Sequence, residues 1–144
     1  MTRKKLPIGI QTFREIREEV YYYVDKSAMA VQLAGQGKNY FLSRPRHFGK
    51  SLFLNTLKEL FEGNEPLFKG LAAETLWNWT IKYPVLRISF RGGVLGTVDA
   101  LNQSLLQQLT ALGECFSFNP RYSDTRSRFQ HLIQRVVSGP AHGH

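Results

Sequence analysis

The sequence predicts an α/β fold, and three observations support this class. Two short apolar runs, residues 39–43 and 84–90, are bounded by Gly or Pro, as buried strands often are. Segments with apolar residues at helical spacing follow each of these runs. Gly49-Lys50-Ser51 lies between the first predicted strand and the helix after it, and this is where open α/β folds bind ligands.

Residues 43–51, Ser-Arg-Pro-Arg-His-Phe-Gly-Lys-Ser, end like the phosphate-binding loop G-x-x-x-x-G-K-[ST]. Gly49 lets the backbone approach a nucleotide closely. Lys50 supplies a positive charge for the outer phosphates, and Ser51 supplies a hydroxyl that can ligate Mg²⁺. The chemically demanding end of the loop is therefore present.

The first half of the loop departs from the standard pattern, because Arg44 stands where the first glycine would be. Pro45 has no N–H to donate, whereas Arg44 and Arg46 add guanidinium groups suited to phosphate oxygens. We predict a variant anion-binding loop in a P-loop NTPase-like three-layer fold. Its predicted nucleotide-binding residues are Arg46, His47, Phe48, Gly49, Lys50, Ser51 and Leu52, and Ser51 is also the predicted metal ligand.

A simpler interpretation is that Gly49-Lys50-Ser51 only opens a helix. Lys50 would then be solvated, and Ser51 would lie in the cap region. The order of strand, loop and helix favours the binding interpretation, because a phosphate-binding loop requires that context.

Composition limits the class of protein. The chain has 144 residues, 42% of them hydrophobic, which predicts one domain with a real core. It contains no apolar run long enough to span a membrane, and a single cysteine, Cys115, excludes an internal disulfide. These features predict a cytoplasmic protein without a membrane partner.

The net charge is +8, and residues 1–50 carry ten Lys or Arg against four Asp or Glu. A basic half of this kind attracts nucleotides and nucleic acids alike. Tyr21, Tyr22 and Tyr23 lie in the same half. We expect two of them to pack in the core and one to direct its hydroxyl to water, with stacking on a base as the alternative.

Helical patterns occupy most of the remaining chain. A capping-box pattern at 12–15 predicts a short helix, and Asp25 is a suitable cap for a helix from Lys26 to about Leu33. The helix after the loop should end near Gly63, before a loop-rich connector at 62–82 that Phe68 and Leu71 anchor.

Two further helices are expected in the last third of the chain. One contains Leu101 to Leu112 and ends at Gly113, with Asp99 as its cap; the other begins near Asp124 and ends at Gly139-Pro140. Residues 138–144 are expected to be a disordered end, on which His142 and His144 are solvated.

An NTPase also needs an apolar strand that ends in Asp or Glu, to hold the Mg²⁺ water shell. Residues 94–99 end in Asp99 but are interrupted by Gly96, so they do not match. We therefore expect a fragment that stops before this strand and has little or no hydrolytic activity by itself.

Several segments, in order, resemble the bacterial AAA-ATPase-like family, whose members often carry a PD-(D/E)XK nuclease-like domain at the C-terminal end. The resemblance covers about residues 6–137, and the family also has Arg-Pro-Arg in place of the first glycine. His47 stands where the family commonly has arginine. The matching segments are Leu6-Pro7-Ile8-Gly9-Ile10, residues 22–27, residues 41–52, Phe68-Lys69-Gly70-Leu71 and Tyr83-Pro84-Val85.

The resemblance implies that residues 1–144 are the N-terminal part of an AAA-ATPase-like P-loop domain, with ATP and Mg²⁺ as cofactors. It also implies that such modules often assemble through neighbouring subunits, as homo-oligomers. The alternative function is a basic nucleic-acid-binding module that uses basic side chains together with stacking tyrosines. The basic residues in question are Arg3, Lys4, Lys5, Arg44 and Arg46.

Overall fold

A computed structural model describes residues 3–37, 39–43, 45, 49–90, 96–115 and 124–138, with only the backbone of residues 115 and 138. The chain divides into two compact units, Met1–Val85 and Leu86–His144. The first unit contains α1 (Phe13–Glu18), α2 (Ser27–Gln36), α3 (Lys50–Phe61), a 3₁₀ turn (Glu65–Phe68) and α4 (Ala73–Leu76). The second contains α5 (Val98–Cys115) and α6 (Thr125–Ser138).

The predicted α/β three-layer fold is wrong, because the described residues are mostly helical and form no strand or sheet. Their only strand-like contact is an isolated bridge between Lys5 and Tyr21. Residues 39–43 are exposed, and the side chain of Phe41 is 92% accessible to solvent. A short apolar run indicates a strand only if a partner covers it, and the local pattern does not reveal whether one exists.

Residues 84–90 lack regular secondary structure. A side chain of a helix makes hydrogen bonds to the backbone of this segment. Ser89 donates its N–H to Oε1 of Gln108 at 2.7 Å and accepts from Nε2 of Gln108 at 2.6 Å. The amide group of Gln108, in α5, thus makes the two hydrogen bonds that a neighbouring strand would supply. The segment predicted as a strand is therefore hydrogen-bonded to helix α5 and not to another strand.

The core of the first unit is built from aromatic rings at the junction of α1, α3 and the 3₁₀ turn. Phe13 and Phe68 are fully buried, with ring centroids 4.8 Å apart. Trp79 packs on Phe68 at 5.2 Å, and Trp77 packs on Phe61 at 5.4 Å. Each fully buried large apolar side chain stabilises the fold by about 1.5–3 kcal/mol, so Phe68 is the anchor that the sequence predicts for the connector.

The predicted helices of the first unit are confirmed, but α1 is not capped as expected. Thr12 makes no side-chain cap hydrogen bond. Instead, Asn55 of α3 accepts a hydrogen bond from the N–H of Phe13 at 2.8 Å. An orphan donor at the first turn of α1 is thus satisfied from another helix.

The second unit has its buried residues on facing helices, Leu109 in α5 and Leu132 in α6. Helix α5 continues through Gly113 to Cys115, past the predicted end. Its first turn is capped by Thr97, whose hydroxyl accepts from Ala100 N–H at 3.2 Å, so the predicted cap role of Asp99 is wrong.

Helix α6 begins as predicted. The Oδ2 atom of Asp124 accepts a hydrogen bond from Ser127 N–H at 2.9 Å. The hydrogen bonds from Ser127 keep the pKa of Asp124 below its ordinary value. The predicted stop at Gly139-Pro140, His142 and His144 lie outside the described residues. Within the described part of the chain, no helix has the length and apolar character needed to span a membrane.

Candidate nucleotide-binding site

Helix α3 begins directly after a residue in the left-handed region of backbone conformation. Gly49 has φ +77° and ψ +20°, and a Cβ at this position would meet no atom within 4 Å. Glycine is therefore required by the backbone angle and not by a crowded neighbour. The carbonyl of Gly49 accepts from Phe53 N–H at 2.9 Å, which closes the first turn.

The first turn of α3 presents backbone donors at the end of the helix that carries partial positive charge. The N–H groups of Ser51 and Leu52 lie in this first turn, where a helix has no intrahelical carbonyl four residues earlier. Donors in this arrangement favour anions, and the side chain of Lys50 adds a full positive charge. The predicted site residues Gly49, Lys50, Ser51 and Leu52 are thus adjacent at one helix end.

The remaining predicted site residues, Arg46, His47 and Phe48, lie outside the described residues, as does Arg44. Pro45 is described and is exposed. Within the described ranges, no group of three or more His, Cys, Asp or Glu side chains could hold a metal ion. Ser51, the predicted metal ligand, lies within the described residues.

A cavity of about 380 Å³ lies beside the first two turns of α3. Helix α3 supplies one wall, and α1 together with the segments before and after it supplies the other. This volume is in the range of small-molecule sites, which are mostly apolar with a few polar groups. The lining residues are Leu6, Pro7, Ile16, Tyr22, Tyr23, Val24, Lys26, Gly49, Leu52, Phe53 and Thr56.

Backbone hydrogen bonds fix the wall that faces α3. Lys5 accepts from Tyr22 N–H at 2.9 Å, and its parallel bridge with Tyr21 holds the two segments side by side. The Asn55 to Phe13 hydrogen bond joins α1 to α3. These contacts link residues far apart in sequence, and they determine which side chains reach the cavity.

One end of the cavity is polar. The hydroxyl of Tyr23 is hydrogen-bonded to the side chain of Thr56 and to the backbone of Lys26, and Thr56 Oγ1 also donates to the carbonyl of Leu52 at 2.9 Å. Burial raises the pKa of Tyr23, and the two hydrogen bonds oppose this effect without reversing it. Tyr23 is therefore a neutral phenol at physiological pH.

The mouth of the cavity is apolar and open to solvent. Leu6, Tyr22 and Val24 line it while being 69%, 54% and 77% exposed. Of the three tyrosines, Tyr23 is half-buried against Phe13 at 5.2 Å, whereas Tyr22 is exposed. The aromatic run was the sequence signal for this wall, but nothing local indicated that Leu6 and Pro7 would join it.

Behind the cavity, Asp25 connects α2 to α4. Its Oδ1 accepts from the N–H and hydroxyl of Ser27 at 2.9 and 2.5 Å, and its Oδ2 accepts from Ala72 N–H at 2.8 Å. Burial raises the pKa of Asp25, but the hydrogen bonds from Ser27 and Ala72 outweigh it, and the net pKa is lowered. The charged carboxylate therefore stabilises the folded state.

A buried carboxylate, Glu59, lies near the other end of α3. Its side chain is 5% exposed and accepts from Arg14 Nη2 at 3.2 Å and from Asn64 Nδ2. Lys58 Nζ lies 3.9 Å from its second oxygen. The Arg14 contact ties α1 to α3, so the position of α1 beside the cavity depends on two polar links, Arg14–Glu59 and Phe13–Asn55.

Comparison with known proteins identifies the family of the chain. The family described as Predicted AAA-ATPase matches residues 7–142, and the chain belongs to this family. An uncharacterized protein in vnfD 5'region from Azotobacter chroococcum mcd 1 is 54% identical over 137 residues, which cover 94% of this chain and 27% of the relative. The chain thus spans about a quarter of that curated relative's length. No solved structure matches it significantly.

Proposed function

We propose that this chain is an ATP-binding module that holds the phosphates at the start of α3 and the base in the adjoining cavity. The family assignment supports a general ATPase-like role, and the nucleotide site is our inference from the geometry. The observation that carries it is the position of a cavity of about 380 Å³ directly against the Gly49 end of α3. A nucleotide needs an anion site and an apolar slot that adjoin each other, because the ribose joins its base to its phosphates.

The phosphate end would use the residues that the loop pattern predicts. The N–H groups of the first turn and the ammonium group of Lys50 would bind phosphate oxygens, and Ser51 would ligate Mg²⁺. Arg46, His47 and Phe48 would complete the loop. Hydrogen bonds to charged groups contribute about 1.5–3 kcal/mol each, so loss of the Lys50 contact should weaken binding measurably.

The base end would use the apolar mouth and the polar end of the cavity. A purine is flat and apolar on its faces, and it would cover Leu6, Tyr22 and Val24, whose exposure is otherwise costly. Tyr22 offers a ring for stacking. The backbone of Tyr23 and Val24 would supply polar groups at the edge of the base, because the hydroxyl of Thr56 is buried and already donates to the carbonyl of Leu52.

We expect binding with little hydrolysis by this chain. The lining residues include no Asp or Glu within the described part of the site. Phosphoryl transfer to water needs a group that positions the water and a carboxylate that supports the metal. Without such groups, bound ATP would remain intact.

Calorimetric titration of the full chain with Mg-ATP tests the proposal. Replacing Lys50 by Ala should weaken binding at least tenfold, or about 1.4 kcal/mol. The matched control is Lys58→Ala on the same helix, because Lys58 pairs with Glu62 at 2.9 Å, two turns away from the site. Equal affinities for the wild type and Lys50→Ala, with Lys58→Ala unchanged, would remove Lys50 from the proposed site.

A nucleic-acid-binding function is the second candidate, and one observation favours it. Arg3, Lys4 and Lys5 are exposed, and the Lys5 carbonyl binds the N–H of Tyr22, which is also exposed. Basic side chains beside an exposed aromatic ring are the features of single-strand binding surfaces. This function predicts binding of single-stranded DNA that persists in Lys50→Ala and is lost when the three basic residues become Ala.

A further inference from the structure

Lys26 is the one charged residue among the described residues that line the cavity beside α3. It is partly buried and occupies the N-cap position of α2, whose first turn contains no acidic residue. Among the described residues, none forms a hydrogen bond or ion pair with its ammonium group. A partly buried cation is stabilised by an acceptor, and a ligand in the cavity can supply one.

The position of Lys26 is electrostatically unfavourable for the protein alone. The start of a helix carries partial positive charge, so a cation is repelled there and an acceptor is favoured. The neighbouring acid, Asp25, uses both carboxylate oxygens on other donors, which belong to Ser27 and Ala72. Asp25 therefore joins α2 to α4 and does not neutralise Lys26 through an ion pair.

Hydrogen bonds place Lys26 at the end of the cavity away from Gly49. Its backbone is hydrogen-bonded to the hydroxyl of Tyr23, which is also bonded to the side chain of Thr56. Thr56 lies two turns beyond Gly49, about 10 Å along the axis of α3 at about 1.5 Å per residue. Because ribose separates the base of a nucleotide from its phosphates, a group at this end of the cavity faces the base.

The other polar side chains at this end already have their hydrogen bonds. Thr56 donates to the carbonyl of Leu52 at 2.9 Å, and the hydroxyl of Tyr23 is bonded to Thr56 and to the backbone of Lys26. Tyr22 lies at the exposed mouth, where its ring is available for stacking. Lys26 is therefore the side chain at the polar end that retains donors for a ligand.

We propose that Lys26 recognises the base by donating a hydrogen bond from its ammonium group to a ring nitrogen of the purine. Adenine presents acceptors at N1, N3 and N7, whereas its amino group is a donor with which an ammonium group cannot pair. This inference rests on the proposed nucleotide site, and it adds a contact at the end of the cavity that the phosphate-binding loop does not reach.

The test combines one protein substitution with one change of ligand, measured by calorimetric titration of the full chain in the presence of Mg²⁺. Lys26→Met removes the charge and keeps an unbranched side chain that can cover the same apolar surface. The ligands are ATP and its 1-deaza, 3-deaza and 7-deaza analogues, each of which lacks one ring nitrogen. Such a cycle separates the interaction between two groups from the effect of each change alone.

In the wild type, one of the three analogues should bind about tenfold more weakly than ATP. Lys26→Met should weaken ATP binding by a similar factor, and it should bind that analogue as tightly as ATP. The matched control is Lys69→Met, which removes an exposed charge of the first unit that does not line the cavity. It should leave all four affinities unchanged. The analogue series on the wild type tests the contact without any substitution.

Four results overturn the proposal. Equal wild-type affinities for ATP and all three analogues would show that no ring nitrogen is recognised. Unchanged ATP affinity in Lys26→Met would remove Lys26 from the site. A loss for one analogue that persists in Lys26→Met would assign the contact to another group. Equal weakening of all four ligands by Lys26→Met would assign Lys26 to the ribose or the phosphates.

Failure of the proposed function gives a different result. If the wild type does not bind ATP, or if Lys50→Ala binds it with full affinity, the anion end of the site is wrong. The four results above concern Lys26 alone, and each is compatible with a loss of ATP affinity in Lys50→Ala.

Discussion

The carboxylate of Asp25 binds both the backbone N–H and the hydroxyl of Ser27, at 2.9 and 2.5 Å. The hydroxyl of Ser27 in turn accepts from Ala73 N–H at 3.0 Å, and Ser27 is fully buried. The two residues therefore satisfy donors at the starts of both α2 and α4. These helices pack behind the segment that forms one wall of the cavity.

The first prediction concerns the pH dependence that follows from Asp25. Its pKa is lowered in the folded state, so the folded state prefers the charged form. The stabilisation is present above the ordinary carboxylate pKa of about 3.9 and is lost as pH falls through the lowered pKa. Asp25→Ala should cost about 1 kcal/mol at neutral pH, measured by urea unfolding.

The difference between Asp25→Ala and the wild type should shrink as the pH is lowered below 4, because the wild type then loses the same hydrogen bonds to the charged carboxylate. A difference that stays constant across that range would show that Asp25 acts through packing and not through its charge.

The second prediction concerns the buried carboxylate of Glu59. Glu59→Leu removes the carboxylate that Arg14 and Asn64 share, and hydrogen bonds to a charged group contribute about 1.5–3 kcal/mol, so the variant should be destabilised by about this amount. Thermal or urea unfolding measures this loss. The control is Glu62→Leu on the same helix, whose contact with Lys58 is on the surface and should contribute less than about 1 kcal/mol. Equal losses in the two variants would contradict the structural role of Glu59.

The third prediction contrasts two glycines. Gly49 has φ +77°, so Gly49→Ala should destabilise the chain by about 1–2 kcal/mol even though there is space for the methyl group. Gly35 lies within α2 with nothing near its Cβ position, so Gly35→Ala should stabilise by about 0.5–1 kcal/mol. Opposite signs in unfolding experiments are the expected result, and destabilisation by both would contradict it.

The fourth prediction concerns the attachment of residues 84–90 to α5. Gln108→Leu removes the two hydrogen bonds to Ser89, so the amide of Ser89 should exchange with solvent faster. The matched control is Gln107→Leu, an exposed neighbour on the same helix. Hydrogen exchange followed by NMR measures both, and unchanged exchange at Ser89 in Gln108→Leu would contradict the assignment.

The sequence predicts the helices better than the fold class. The start of α3 at Lys50 followed from a motif and a helical period that are both local. The predicted strands failed because residues 39–43 are exposed and residues 84–90 bond to a side chain of α5 instead of to a strand, and pairing is a property of two segments. The cap of α1 failed for a similar reason, since Asn55 is far from Phe13 in sequence.

The candidate site also has one part that the sequence predicts and one part that it does not. Gly49, Lys50 and Ser51 were predicted because their residue types carry the phosphate chemistry. The opposite wall, with Leu6, Pro7 and Val24, was not predicted, because it depends on the pairing of Lys5 with Tyr22 and on the packing of α1 against α3. Local patterns do not encode these long-range contacts.

In the proposed function, one nucleotide occupies both the start of α3 and the cavity beside it. The most direct measurement is an NMR titration of the isotope-labelled full chain with Mg-ATP, following every backbone amide. We expect saturable shifts at Lys50, Ser51 and Leu52 together with shifts at Tyr22, Tyr23 and Val24. Absence of shifts, or shifts confined to α5 and α6, would contradict it.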